Sequence, residues 1–233
     1  MKKIGIIGGL GPESTKMYYD QIIEQYRVRA NGQYPQIIIY SVNMEELKMY
    51  QEQKNMDSLE MMLSAKVDAL ADAGADFAVM ASNTPHIVYD KVSRHAKIPM
   101  ISIVEEAANH CRGVSTNKKV GLLGTGYTMR ANFYPETFKR YGLDIFIPDS
   151  DDQDYIHKKI FSELALGIVK SETKERFIKK VVGAMVENYG IDSLVLGCTE
   201  LPLIFDQEYF GLHYIDTVTV HVQAIINYCF NAD

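Results

Sequence analysis

The chain has 233 residues, 47% of them hydrophobic, and 24 basic against 30 acidic side chains give a formal net charge of −6. At ~150 residues per domain that length suits one or two α/β units, and the apolar fraction supports a sizeable core. The acidic balance, with a pI near 5.5, argues against a nucleic-acid groove or a polybasic membrane surface. No apolar run approaches the ~20 residues of a membrane span. The Lys2-Lys3 start lacks the apolar core and small-residue cleavage site of a secretory signal, so a cytoplasmic protein is expected. Cys111, Cys198 and Cys229 are an odd, sparse set without zinc-ligand spacing, so neither a disulfide framework nor a structural metal is expected.

In chain order, residues 4–7 read as a first strand ended by Gly8-Gly9-Leu10-Gly11-Pro12. Ser14 or Thr15 is expected to cap the next helix, with Tyr18, Tyr19, Ile22, Ile23 and Tyr26 on its buried side. Residues 36–40 form a second strand after an Asn31-Gly32 turn, and Asp57 opens a helix through Leu59, Met62, Leu63, Val67 and Leu70. Residues 76–81 are a third strand. Thr84 is expected to cap a helix that has Pro85 in its first position, where the missing N–H is harmless. A fourth strand (99–103) leads into a helix (105–111), and further strands are expected at 118–124, 144–147, 194–197 and 214–216. The helices between them fall at 129–141, 155–166, 173–189 and 218–228, and the acidic run 149–154 reads as a capped, solvated helix start rather than a metal site.

This β-α alternation predicts parallel sheets with helices on both faces. It is also duplicated. Gly74-Ala75-Asp76 and Gly190-Ile191-Asp192 open two similar strands 116 positions apart, and Lys118-Lys119-Val120-Gly121 repeats Lys2-Lys3-Ile4-Gly5 at the same offset. Two pseudo-symmetric α/β domains are therefore expected, one from 1–100 with 207–233 and the other from 101–206. Ser82 and Cys198 fall in register, so a hydroxyl stands in one half where a thiol stands in the other.

Ligands of open parallel sheets bind at the carboxyl ends of strands. Four marked loops lie there: 8–15, 82–84, 124–128 and 198–200. The run Gly9-Leu10-Gly11-Pro12-Glu13-Ser14 lacks the third glycine of a dinucleotide fingerprint. A tight turn offering the backbone N–H groups of Gly9 and Leu10 to a carboxylate is the better reading. Cys198, placed before an expected helix start, should have its thiol pKa lowered toward neutrality, with Thr199 and Glu200 offering polar contacts. Cys111 and Cys229 read as core, and His86 as a surface or satisfied histidine before a catalytic one.

Stereoinversion needs two acid/base groups on opposite faces of one carbon, which pseudo-twofold halves can supply. The motifs Gly-Gly-Leu-Gly-Pro-Glu-Ser-Thr (8–15), Ser-Asn-Thr-Pro-His (82–86) and Leu-Gly-Cys-Thr-Glu-Leu (196–201) resemble the aspartate/glutamate racemase family over nearly the whole chain. The resemblance implies racemisation of acidic amino acids without pyridoxal phosphate or another cofactor, a two-domain α/β fold with a cleft between the domains, and a homodimer. It implies a catalytic pair of cysteines at the positions of Ser82 and Cys198. It further implies that Asn83, Thr84, Thr125, Thr128 and Thr199 hold the substrate carboxylates and that Lys48 is a basic substrate contact. A lysine carried by some relatives is Ala165 here, which bears on substrate preference.

Ser82 is the departure, because an aliphatic hydroxyl is far less acidic than a thiol of pKa ~8.5. Sequence alone leaves several readings open. They are a racemase with slow or asymmetric two-base chemistry, a one-thiol isomerase or decarboxylase of the wider superfamily, an introduced serine that traps substrate, and a silent dicarboxylate-binding protein.

Overall fold

The computed structural model describes residues 1–231. The chain folds as two compact units, Met1–Ile103 with the segment from Val218 onward, and Val104–Thr217. Each holds a four-stranded, wholly parallel sheet.

In the first unit the order is β2 (Ile37–Ser41), β1 (Ile4–Gly8), β3 (Phe77–Met80), β4 (Met100–Ile101). β1 and β3 are buried along their whole length, as strands covered on both faces must be. Their side chains divide by the two-residue period of a strand. Ile4, Ile6, Phe77 and Val79 pack with Tyr18, Ile22 and Tyr26 of α1 (Pro12–Arg29) and with Val222, Ile225 and Ile226 of the last helix, Thr217–Phe230. Ile7, Ala78 and Met80 pack on the opposite face, against Leu59, Leu63 and Val67 of the helix Met56–Asp72.

The second unit repeats this plan with β6 (Asp144–Phe146), β5 (Lys119–Gly124), β7 (Ser193–Gly197), β8 (His213–Asp216). The duplication extends to register: Ile4 lies opposite Phe77, and Val120, 116 residues on, lies opposite Ser193, 116 residues on from Phe77. A repeated aspartate stands at the mouth of each pair. Asp76 accepts the Lys3 N–H, while Asp192 accepts the N–H groups of Thr116 and Asn117 and the hydroxyls of Ser115 and Thr116.

Several expectations need correction. Residues 207–217 belong to the second unit, because β8 pairs with β7 and completes that sheet. The last two positions of the expected first domain, 232 and 233, lie outside the described residues. Helix α1 starts at Pro12 behind Gly11, with no side-chain cap, so Ser14 and Thr15 lie inside its first turn. A helix missed in the sequence, α2 (Met44–Glu52), is capped by the Asn43 side chain and buries only Leu47 and Gln51. The helix expected over 129–141 is two, Gly126–Arg130 and Phe133–Arg140, separated where Ala131 turns extended. The acidic run does start a helix, Ser150–Ser162, with Asp149 accepting the Asp152 N–H.

Candidate active site

In the first unit the carboxyl ends of β1 and β3 lie side by side, joined up to the bond from Ala81 N–H to the Ile7 carbonyl. Gly9 follows β1 at φ 78°, and a Cβ there would stand 2.3 Å from the Val42 carbonyl oxygen, so no other residue fits. Its N–H donates to the Thr15 hydroxyl at 2.9 Å. The expected offer of that N–H to an anion is therefore corrected: Thr15 already takes it. Leu10 is 5% exposed and packs in the apolar cluster with Ile7, Val42 and Leu47, which leaves only its backbone for a ligand. Lys48 lies on α2, its ammonium paired at 2.8 Å with Glu45 on the protein surface.

Ser82 is the second residue past β3 and is half-buried. Asn83 is buried, and Thr84 opens a tight 3-10 turn, Thr84–Val88, rather than capping an α-helix. His86 is 3% exposed. Its Nε2 accepts the Ile103 N–H at 3.3 Å, so Nδ1 carries the proton and donates to the Ser82 carbonyl oxygen at 3.0 Å. Burial, with the nearby His221, lowers its pKa to about 3. Both ring nitrogens are thus committed to backbone. Among the described residues no titratable side chain bonds the Ser82 hydroxyl.

In the second unit the equivalent strand ends are Gly124 and Gly197, directly opposite each other. Thr125 caps the helix Gly126–Arg130 by accepting the Thr128 N–H at 3.2 Å. Thr128 is wholly buried against Gly124, where a Cβ would stand 3.1 Å from its methyl group. The substrate contact implied for the Thr128 side chain is corrected accordingly: it packs under the loop and bonds the Thr125 hydroxyl at 3.2 Å. His157, unremarked in the sequence, accepts the Gly126 N–H at 3.1 Å and braces the same loop.

Cys198 is the residue after β7 and is half-buried. No helix start follows it. A turn leads into three residues of 3-10 helix, Leu201–Leu203, so the expected dipole stabilisation of a thiolate is absent. The thiol instead donates to Glu200 Oε2 at 2.9 Å, and the Thr199 hydroxyl donates to the same oxygen at 2.8 Å. Burial first, then the charge of Glu200, pushes the thiol pKa well above its ordinary value, against the direction expected from the sequence. The resting group is a protonated thiol beside a carboxylate that can receive its proton.

A duplicated pair of parallel α/β units, with a hydroxyl and a thiol at matching strand ends, defines a two-domain α/β protein of internal pseudo-symmetry. The chain belongs to the Asp/Glu/Hydantoin racemase family, whose profile matches residues 7–225. Among similar proteins is the broad specificity amino-acid racemase RacX of Bacillus subtilis (strain 168), 25% identical over 226 residues, which are 92% of each chain. A glutamate racemase of Sulfurihydrogenibium sp. (strain YO3AOP1) is 30% identical over 162 residues, 68% of this chain and 60% of its own. The crystal structure of an aspartate racemase homologue from Pyrococcus horikoshii OT3 superposes with a TM-score of 0.85 at 37% identity, covering 99% of this chain and 100% of that one.

Proposed function

We propose that this protein is a cofactor-independent racemase of an acidic amino acid, aspartate or glutamate, working in the cytoplasm, with Cys198 and Ser82 as its two acid/base groups. The observation that carries the reading is the Cys198–Glu200 pair at a strand end whose counterpart in the duplicated register is Ser82. Glu200 takes the thiol proton. The thiolate then removes the Cα proton and becomes a thiol again, and the Ser82 hydroxyl donates its proton to the other face of the carbanion. Water returns the proton held by Glu200 to the Ser82 alkoxide, which closes the cycle with every proton accounted for. A hydroxyl serves as acid to a carbanion far more readily than it serves as base, so the two faces work at unequal rates. The Leu10 backbone N–H is proposed to meet a substrate carboxylate, the Gly9 N–H being held by Thr15, with Asn83, Thr84 and Thr125 as further contacts, Thr199 once its hydroxyl leaves Glu200, and Lys48 once freed from Glu45. A homodimer remains part of this proposal on the family likeness alone.

The test is proton NMR in D2O with both enantiomers of aspartate and glutamate. Deuterium should enter Cα for at least one of them, and Cys198→Ala should lower that exchange about 10³-fold, within the range of general acid–base contributions. Absence of exchange at high enzyme concentration, with all four substrates, would remove the racemase reading.

A further inference from the structure

A buried polar line runs behind Ser82, and the chemistry proposed above does not use it. His86 joins the Ser82 carbonyl to the Ile103 N–H. Its ring stacks on Tyr89, with centroids 5.2 Å apart, and the Tyr89 hydroxyl donates to the Met100 carbonyl. His221 is also buried. Its Nε2 meets the Ile101 carbonyl oxygen at 3.1 Å, which can only accept, so Nε2 carries the proton and Nδ1 accepts from the Tyr18 hydroxyl at 2.7 Å. Residues 100, 101 and 103 are therefore each gripped by a buried ring. Ile103 is the last residue before the chain leaves the first unit.

We infer that His86 is a positioning residue, which fixes Ser82 through its carbonyl oxygen and ties it to Ile103, and which exchanges no proton with substrate. The geometry supports this in two ways. Strand pairing ends at Ala81, so the Ser82 peptide has no sheet partner to orient it, and the His86 N–H supplies the missing constraint on the carbonyl. Holding that carbonyl fixes the peptide plane after Ser82 and hence the direction of its Cα–Cβ bond, from which the hydroxyl projects. The tautomer is also forced. A proton on Nε2 would confront the Ile103 N–H donor to donor, so only the neutral ring can hold both ends at once.

The inference rests on the racemase reading of Ser82, and its test separates the two. Exchange at Cα is measured for each enantiomer alone, in the wild type, Ser82→Ala, His86→Leu and His86→Asn. Ser82→Ala identifies the enantiomer whose exchange depends on Ser82. His86→Leu should lower exchange of that enantiomer about 10- to 100-fold, as misplacement of a reacting group does, and change the other less than about twofold. His86→Asn keeps an N–H near the Nδ1 position and should recover part of the loss. Equal loss for both enantiomers, or no loss, would overturn the inference, since a residue that only supports the core lowers both together. Amide hydrogen exchange at residues 82–84 gives a readout independent of activity. It should quicken at least tenfold in His86→Leu relative to the strands β1 and β3, and an unchanged rate would overturn the inference whether or not the wild type racemises anything.

Discussion

The two strand ends that carry Ser82 and Cys198 share a scaffold and differ in almost everything built on it. Strand order, register and the aspartate at the mouth of each central pair repeat at one offset. The loops do not. On one side a neutral, buried histidine spends both nitrogens on backbone, and the serine hydroxyl has no titratable partner among the described residues. On the other a thiol donates directly into a carboxylate that also holds a threonine. Duplication copied the strands that support the two residues, while among the described residues a carboxylate is bonded to the side chain on the Cys198 side and not on the Ser82 side. Chemistry in such a fold resides in the few residues past each strand, where backbone leaves the sheet and becomes free to vary.

The change with the largest expected gain would abolish that asymmetry. Ser82→Cys puts a group of ordinary pKa ~8.5 where a hydroxyl stood and should raise racemisation about 10²-fold, measured as interconversion by polarimetry or chiral chromatography. An unchanged or lower rate would mean that Ser82 is not the second acid/base group. A smaller effect is expected from Glu200→Gln, which sharpens the other half. Removing the carboxylate charge lowers the thiol pKa, so iodoacetamide should alkylate Cys198 several-fold faster at neutral pH. Cα exchange should nevertheless fall about tenfold, because the proton acceptor is gone. Reactivity and turnover moving in opposite directions is the signature; a parallel change would reduce Glu200 to an electrostatic neighbour.

Much of the scaffold could be read from sequence because its signal is redundant. Short runs dominated by apolar residues, such as Ile4–Gly8 and Ser193–Gly197, are what strands covered on both faces require, and the repeat at one offset marks β1 with β5 and β3 with β7. Elements with little burial were not legible. Helix α2 hides behind one fully buried apolar side chain, Leu47, and an asparagine cap. The segment Arg176–Val182 winds as a π-helix inside what periodicity reads as one continuous helix, and no residue announces the wider turn. At the site, residue types were legible but their ionisation was not. The thiol pKa depends on whether a helix follows Cys198 and where the Glu200 carboxylate lands, and both are set by a 3-10 turn that the pattern Cys-Thr-Glu-Leu-Pro does not specify. Thr128 shows the same limit: Gly124 leaves the space that lets its side chain turn inward.

The comparison also extends to acid stability, where no rate at neutral pH need change. In the first unit burial holds His86 at a pKa of about 3 and His221 at about 4, against ~6.5 in an unfolded chain. Between those values the unfolded state binds protons that the folded state refuses. Stability is therefore complete above pH ~6.5 and falls as pH drops through it, by up to about 1.4 kcal/mol per pH unit for each histidine. One histidine of the second unit, His157, is also lowered by burial, but it is only half-buried, and the unit leans mainly on carboxylates. Lys159 and Thr173 hold Glu163 at a pKa of about 2. Burial acts to raise Asp192, but the hydrogen bonds from Asn117, Ser115, Thr116 and Ser193 outweigh it and leave that pKa also at about 2. Their contribution is present above the unfolded carboxylate pKa of ~4 and is lost only as pH falls below it. Amide hydrogen exchange between pH 6.5 and 4.5 should therefore show β1 and β3 losing protection more steeply than β5 and β7. His86→Asn should flatten the slope of the first unit by about one proton, since it removes one of the two groups that refuse protonation. Equal loss from both sheets over this range would mean that the buried histidines do not set the acid limit, and that the two halves differ in chemistry but not in what keeps them folded.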